Sequence, residues 1–178
     1  TELDDLLVNS LEVSQGSLSL TVGGNLSATL AKASANATLK VGGIGVVGKL
    51  SAGSNLSIET GGLLEVSDVS GQSAEVTSGG TIKLTGALED LTLLSSRDAE
   101  VTELDDLLVK RMEVFAGSLD MVIGGNLSLD SARIAKDATL LVTDSANVSD
   151  LEVSSGSLSL TVGGNLSATL AKASANAT

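Results

Sequence analysis

Seven of the eight asparagines stand in Asn-x-Ser/Thr triplets, at Asn25, Asn36, Asn55, Asn126, Asn147, Asn165 and Asn176. Two chemistries use such a pattern. An exposed carboxamide on a secreted chain can accept N-linked sugar. Alternatively, asparagines at equivalent corners of a stacked structure can hydrogen-bond from one corner to the next as a ladder. A repeat in which Asn holds a corner, the next residue faces inward and the one after faces outward as Ser or Thr generates these triplets unaided.

Other chemistry is scarce. The concentrated carboxylates are the pairs Asp4–Asp5, Glu89–Asp90 and Asp105–Asp106. General acid–base work needs carboxylates that converge in a groove, whereas adjacent residues on an extended chain point to opposite sides. Phe115 is the single aromatic residue, so no ring platform exists to stack a sugar. Histidine and cysteine are absent, which removes the usual general base, the commonest neutral metal ligand, thiolate sites and disulfides. Calcium-binding β-rolls need Asp after their glycines, but "VGGIGVVGKL" and "VGGNLSATL" put Ile, Asn and Leu there. An ice-binding face would need uniform outward threonine rows, and the outward positions mix Thr38 with Lys40 and Ser57 with Glu59. These residues assign no catalytic, cofactor-binding or metal site.

The net charge of −12 repels phosphate backbones and argues against nucleic-acid binding. No apolar run approaches the roughly 20 residues needed to span a bilayer, so membrane insertion is not expected. The opening "TELDDLLV" lacks the positive region of a signal peptide, and any targeting segment is expected outside this stretch.

The elements that position these residues follow from repetition. "GSLSLTVGGNLSATLAKASANAT" stands at Gly16 to Thr38 and again, unchanged, at Gly156 to Thr178. "TELDDLLV" likewise stands at both Thr1 and Thr102. Cutting the chain before each alternating run gives coils of 19 to 20 residues beginning at Gly16, Asn36, Asn55, Ala74, Asp98, Gly117, Asp137, Gly156 and Asn176. Seven such coils make the 140-residue separation of the identical segments. Within a coil the period is two: Leu18, Leu20 and Val22 face one way, and Ser17, Ser19 and Thr21 the other. Gly23–Gly24 breaks the run, Leu26, Ala28 and Leu30 resume it, and the phase flips near Ala31. Inward Leu, Val, Ile and Ala of similar size suit a thin core of repeated layers, in which one coil is too small to fold alone and stacked coils share each buried layer.

The expected fold is therefore all-β, a parallel β-helix or β-solenoid of about nine coils, forming one array over residues 1–178 with an irregular register at 74–116. The step from Ala74 to Asp98 leaves four or five residues surplus. "TELDDLLVKRMEVF" there fits either a corner followed by a strand, or a short helix or bulge.

Coils such as "GSLSLTVGGNLSA", "GSLDMVIGGNLSL" and "SAGSNLSIETGG" resemble the haemagglutinin-type repeats of filamentous haemagglutinins and related two-partner-secretion adhesins of Gram-negative bacteria. The resemblance covers most of the chain and rests on a degenerate pattern. It implies a right-handed parallel β-helix, exported through an outer-membrane secretion partner and acting as a rigid stalk at the cell surface or outside the cell. It also implies that the seven Asn-x-Ser/Thr sites are worth testing for glycosylation. The family's N-terminal secretion domain has no counterpart in these residues. The expected function is a structural rod segment of an adhesin rather than an enzyme; the alternative is a carbohydrate-active or ligand-binding solenoid. The expected partners are neighbouring coils of the same array, with end-to-end self-association through strand edges and open layers.

Overall fold

A computed structural model describes residues 1–178 as sixteen parallel strands and no helix. Long strands β1 (Leu6–Val13), β3 (Leu26–Ala33) and β5 (Gly45–Ala52) alternate with short strands β2 (Leu18–Val22), β4 (Ala37–Val41) and β6 (Asn55–Thr60). Two strands, β7 (Leu64–Ser78) and β8 (Ile82–Ser95), then run through almost a whole coil each. The alternation resumes with short β9 (Ala99–Glu103), β11 (Leu119–Ile123), β13 (Ala138–Val142) and β15 (Leu158–Val162). Between them lie long β10 (Leu107–Val114), β12 (Leu127–Ile134), β14 (Ala146–Val153) and β16 (Leu166–Ala173). Each strand pairs with its counterpart one coil away, and nine strands follow one another along the main path of the sheet. The protein is a β-solenoid of about nine coils.

Alternation decides what is inside. Val22, Leu26 and Ala28 are buried while Thr21, Ser27 and Thr29 are exposed. The long strands bend where two consecutive residues leave the core: Thr29 and Leu30 in β3, Gly48 and Lys49 in β5, Asp130 and Ser131 in β12. Leu30 is thus not an inner residue; Ala31 takes that place and is fully buried. The 44-residue apolar core stacks in rows. Leu18, Ala37, Leu56, Ala74, Leu91 and Val109 lie one above another. Leu64, Ile82, Ala99, Leu119, Ala138 and Leu158 form the row opposite. Large side chains sit over small ones for much of each row, which lets successive layers fill the core without any ring.

The irregular middle of the chain is a change of face. In the first half β1, β3, β5 and the start of β7 stack as the long-strand ladder. The same ladder continues through Ile82–Gly86 into the short strands β9, β11, β13 and β15. Conversely, the short-strand ladder β2, β4, β6 and Ser73–Ser78 continues through the end of β8 into long β10, β12, β14 and β16. The coils there are shortened, not lengthened: Ser78 pairs with Ser95 and Ile82 with Ala99, steps of 17 residues, where Leu6 to Leu26 is 20. No residues are surplus. The apparent 24-residue step joins Ala74, which stacks under Leu56, to Asp98, which flanks the opposite ladder next to Ala99.

The identical ends consequently lie on different ladders. Leu158 is seven steps from Leu26 along one ladder, whereas Leu18 belongs to the other. The 140-residue separation is therefore about seven and a half coils, not seven. The second "TELDDLLV" forms no helix: it makes a corner followed by β10, with a register shift between Val109 and Arg111.

All four buried polar residues, Thr60, Ser78, Ser95 and Glu103, fall in the coils around this change of face. Thr60, Ser78 and Ser95 are successive in one row. Their hydroxyls serve corner carbonyls: Thr60 Oγ1 donates to Gly62 O at 3.1 Å, and Ser95 Oγ lies 3.0 Å from Gly80 O. Ser78 Oγ donates to Gly62 O and accepts Gly80 N at 3.1 Å. Buried hydroxyls are tolerable where they pair in this way.

Candidate functional site

The surface that repeats is the line of corners, where side chains bridge coils. Asp5 Oδ1 accepts from Asn25 N at 2.7 Å and from Asn25 Nδ2 at 3.1 Å, and Asn25 Oδ1 accepts in turn from Ile44 N at 2.8 Å. The second octapeptide repeats the arrangement. Asp106 Oδ1 accepts from Asn126 N and Nδ2 at 2.7 and 3.0 Å, and Asn126 Oδ1 accepts from Ser145 N at 3.1 Å. Before the short strands Asn36 Oδ1 accepts from Asn55 N at 3.2 Å, and Asp98 and Asp137 accept from Ser118 N and Ser157 N, both at 2.9 Å. At each of these corners one side-chain oxygen thus satisfies a backbone N–H of the following coil.

The seven asparagines divide accordingly. Asn25, Asn36 and Asn126 have their carboxamides in the ladder. Asn55 donates its backbone N–H to the ladder, as does Asn165, whose N–H goes to Ser145 Oγ at 3.1 Å. Asn147 is not at a corner: it is an exposed outward residue of β14. Asn176 is exposed in the last coil, its carbonyl accepting from Leu158 N at 2.8 Å. Asn126→Ala is expected to lower stability by about 1 kcal/mol, through the lost acceptor for Ser145 N. Asn147→Ala is expected to change it by less than about 0.5 kcal/mol. Urea midpoints of the two variants check the contrast.

Sequence reasoning missed the carboxylates of this ladder. Asp5 and Asp106 stand there only as members of acidic pairs that do not converge, yet they occupy the same slot before a long strand as Asn25 and Asn126. The hydrogen bonds from Asn126 hold the Asp106 carboxyl below its ordinary value. Glu89 and Asp106 both line two grooves. One, of about 670 Å³, runs along Asn126, Ser145 and Asn165. The other, of about 580 Å³, opens over the change of face between Gly71, Leu88 and Leu104. No group of three or more carboxylates converges as a set of metal ligands.

Ion pairs form rungs between coils: Lys40 with Glu59, Lys49 with Asp68, Lys83 with Glu100, Lys110 with Asp90, and Arg133 and Lys172 with Glu152. Exposed pairs of this kind contribute only about 0–1 kcal/mol each. Their use is to favour one register over its neighbours.

No protein-family model matches the chain, and no curated protein or solved structure matches it.

Proposed function

We propose that this chain is a rod segment of a secreted or surface-exposed bacterial filamentous adhesin, supplying length and stiffness while adhesive parts lie elsewhere. The observation that carries the reading is that both parallel ladders run on through the change of face, one from β1 to β15 and the other from β2 to β16. A side-chain surface spent on inter-coil bonds and register-setting ion pairs suits a spacer. The resemblance of "GSLSLTVGGNLSA" and its relatives to haemagglutinin-type repeats supplies the adhesin class, the extracellular location and the outer-membrane secretion partner.

The natural neighbour on this reading is another stretch of the same array. Leu26 and Leu166 occupy identical sequence, yet Leu26 is 2% exposed and Leu166 51%, because no coil covers β16. Ala168 and Ala171 are exposed in the same way, while Ala28 and Ala31 are buried. A sheet edge with open apolar layers is a template for stacking. Sedimentation velocity over a concentration series is expected to show end-to-end association into longer rods. A single species that remains monomeric to millimolar concentration would count against stacking through these edges.

A further inference from the structure

Three of the four buried polar residues carry hydroxyls; the fourth is a carboxyl. Glu103 ends β9, with Gly86 beside it on one side and Ile123 on the other, and is 2% exposed. Its Oε2 accepts from Leu88 N at 2.9 Å and its Oε1 from Leu104 N at 3.0 Å. Leu88 falls in the gap where β8 divides between two partners: the last pair with β9 is Gly86–Glu103, and the first with β10 is Asp90–Leu108. The carboxyl supplies the hydrogen-bond acceptor at that gap. Gly86 carries no side chain because the Val69 backbone fills the space a Cβ would take, so the strand next to Glu103 is closely packed on its far side.

No cation balances this group. Lys83 of β8 pairs with Glu100 of β9, Lys110 of β10 with Asp90, and Arg111 with Glu113, while Asp68 of β7 is held by Lys49. The other charges on these elements and the adjoining corner, Glu65, Glu75, Glu89, Asp105, Asp106 and Asp120, are all carboxylates. Glu2, the same residue in the first copy of the octapeptide, keeps the local bond to Leu3 N at 2.9 Å but is exposed. Glu2 lies in the first coil, where even the inward Leu6, Val8 and Leu11 are only half-buried, whereas Glu103 lies between two coils and also takes the bond from Leu88 N.

We propose that Glu103 makes the face-changing coil a proton-sensitive joint, closed on Leu88 and Leu104 while its carboxyl is neutral and loosened toward solvent when it ionises. Burial, reinforced by the charge of Asp105, pushes the carboxyl up to about 7 against the N–H bonds from Leu88, Leu104 and Asp105. The closed joint therefore holds a proton that an opened one releases. The stabilisation is complete below the ordinary value of 4.5 and is lost as pH rises to about 7.

Amide hydrogen exchange of the native chain at pH 5.5 and 8.0, corrected for intrinsic rates, tests the joint. Protection at Leu88 is expected to fall on the order of 20-fold at the higher pH, and that at Leu104 by less, because Leu104 N also donates to Gly86 O at 3.0 Å. Val47 in β5 and Val148 in β14 should change by less than about twofold, which separates the joint from a general effect of net charge. Glu103→Gln keeps an acceptor oxygen but cannot ionise, and should abolish the pH dependence at Leu88. Equal protection of Leu88 and Leu104 at both pH values in the native chain would overturn the proposal. Persistence of the fall in Glu103→Gln would overturn it too. Should that variant fail to fold, the native-chain comparison decides alone.

Discussion

Gly42→Val is expected to cost on the order of 4 kcal/mol or more, enough to unfold the coils on either side of the corner. A Cβ built at Gly42 would stand 2.1 Å from Gly23 O, an atom of the backbone that has no rotamer by which to move aside. The only relief is to separate the coils. That would break the bond from Gly42 N to Val22 O at 2.8 Å and strain the bond from Gly43 N to Gly24 O at 2.9 Å. The damage propagates because Gly61 packs against Gly42 O in the same way, a Cβ there also falling 2.1 Å away. Gly16→Ala provides the contrast. Gly16 has φ of +97° with open space around it, so the substitution costs only backbone strain of about 1–2 kcal/mol. Denaturant midpoints of the two variants, with far-UV circular dichroism for retained strand, measure the difference.

Leu91→Asp is expected to be at least as damaging and to abolish folding at 37 °C. Leu91 is 0% exposed and stands between Ala74 and Val109 in the row that passes through the change of face. A carboxylate there would be buried with no cation or donor, a desolvation penalty of several kcal/mol added to the lost apolar contact. Leu91→Ala separates the two terms: deletion of the side chain alone should cost about 2–5 kcal/mol and leave a folded, less stable rod. Loss of the strand signal in Leu91→Asp but not in Leu91→Ala at 25 °C is the expected result. Equal stability of the two would mean that this row is not a closed core.

Much of the fold was legible because alternation is a local property. Leu18, Leu20 and Val22 lie on the core side, as their spacing requires, and the Gly-Gly pairs lie at corners. The change of face was not legible, because both ladders use the same alternation. Leu18 and Leu158 sit in identical sequence on different ladders, and what separates them is the number of residues in the 17- and 18-residue steps between. A property set by summed coil lengths leaves no mark on any one strand. The bend in the long strands was half legible. A flip near Ala31 is visible in the sequence, but a choice between Leu30 and Ala31 as the inner residue depends on the row: Ala31 stacks against Leu11 and Leu50.

The corner ladder shows the same limit from another side. Asn25 and Asn126 announce themselves by a repeated triplet, whereas Asp5 and Asp106 carry the same bond from within an acidic pair. Their equivalence emerges only when the coils are aligned in register. Glu103 is harder still. Glu2 and Glu103 share an octapeptide, and one is exposed while the other is buried, so nothing within eight residues distinguishes them. The coils stacked on either side of Glu103 make the difference.

The most direct test of a rod whose function is length uses the identity of the ends. Appending residues 39–178 after Thr178 continues the sequence as Thr38 continues into Leu39, and adds about seven and a half coils. At roughly 4.8 Å per coil this should lengthen the particle by about 35 Å at unchanged cross-section. Small-angle X-ray scattering of the two chains, measured at dilutions where neither associates, reads both dimensions. A maximum dimension that grows by that amount with a constant cross-sectional radius is the result a stacked spacer requires. A particle that thickens in all directions, or resolves into two bodies joined by a flexible segment, would contradict it.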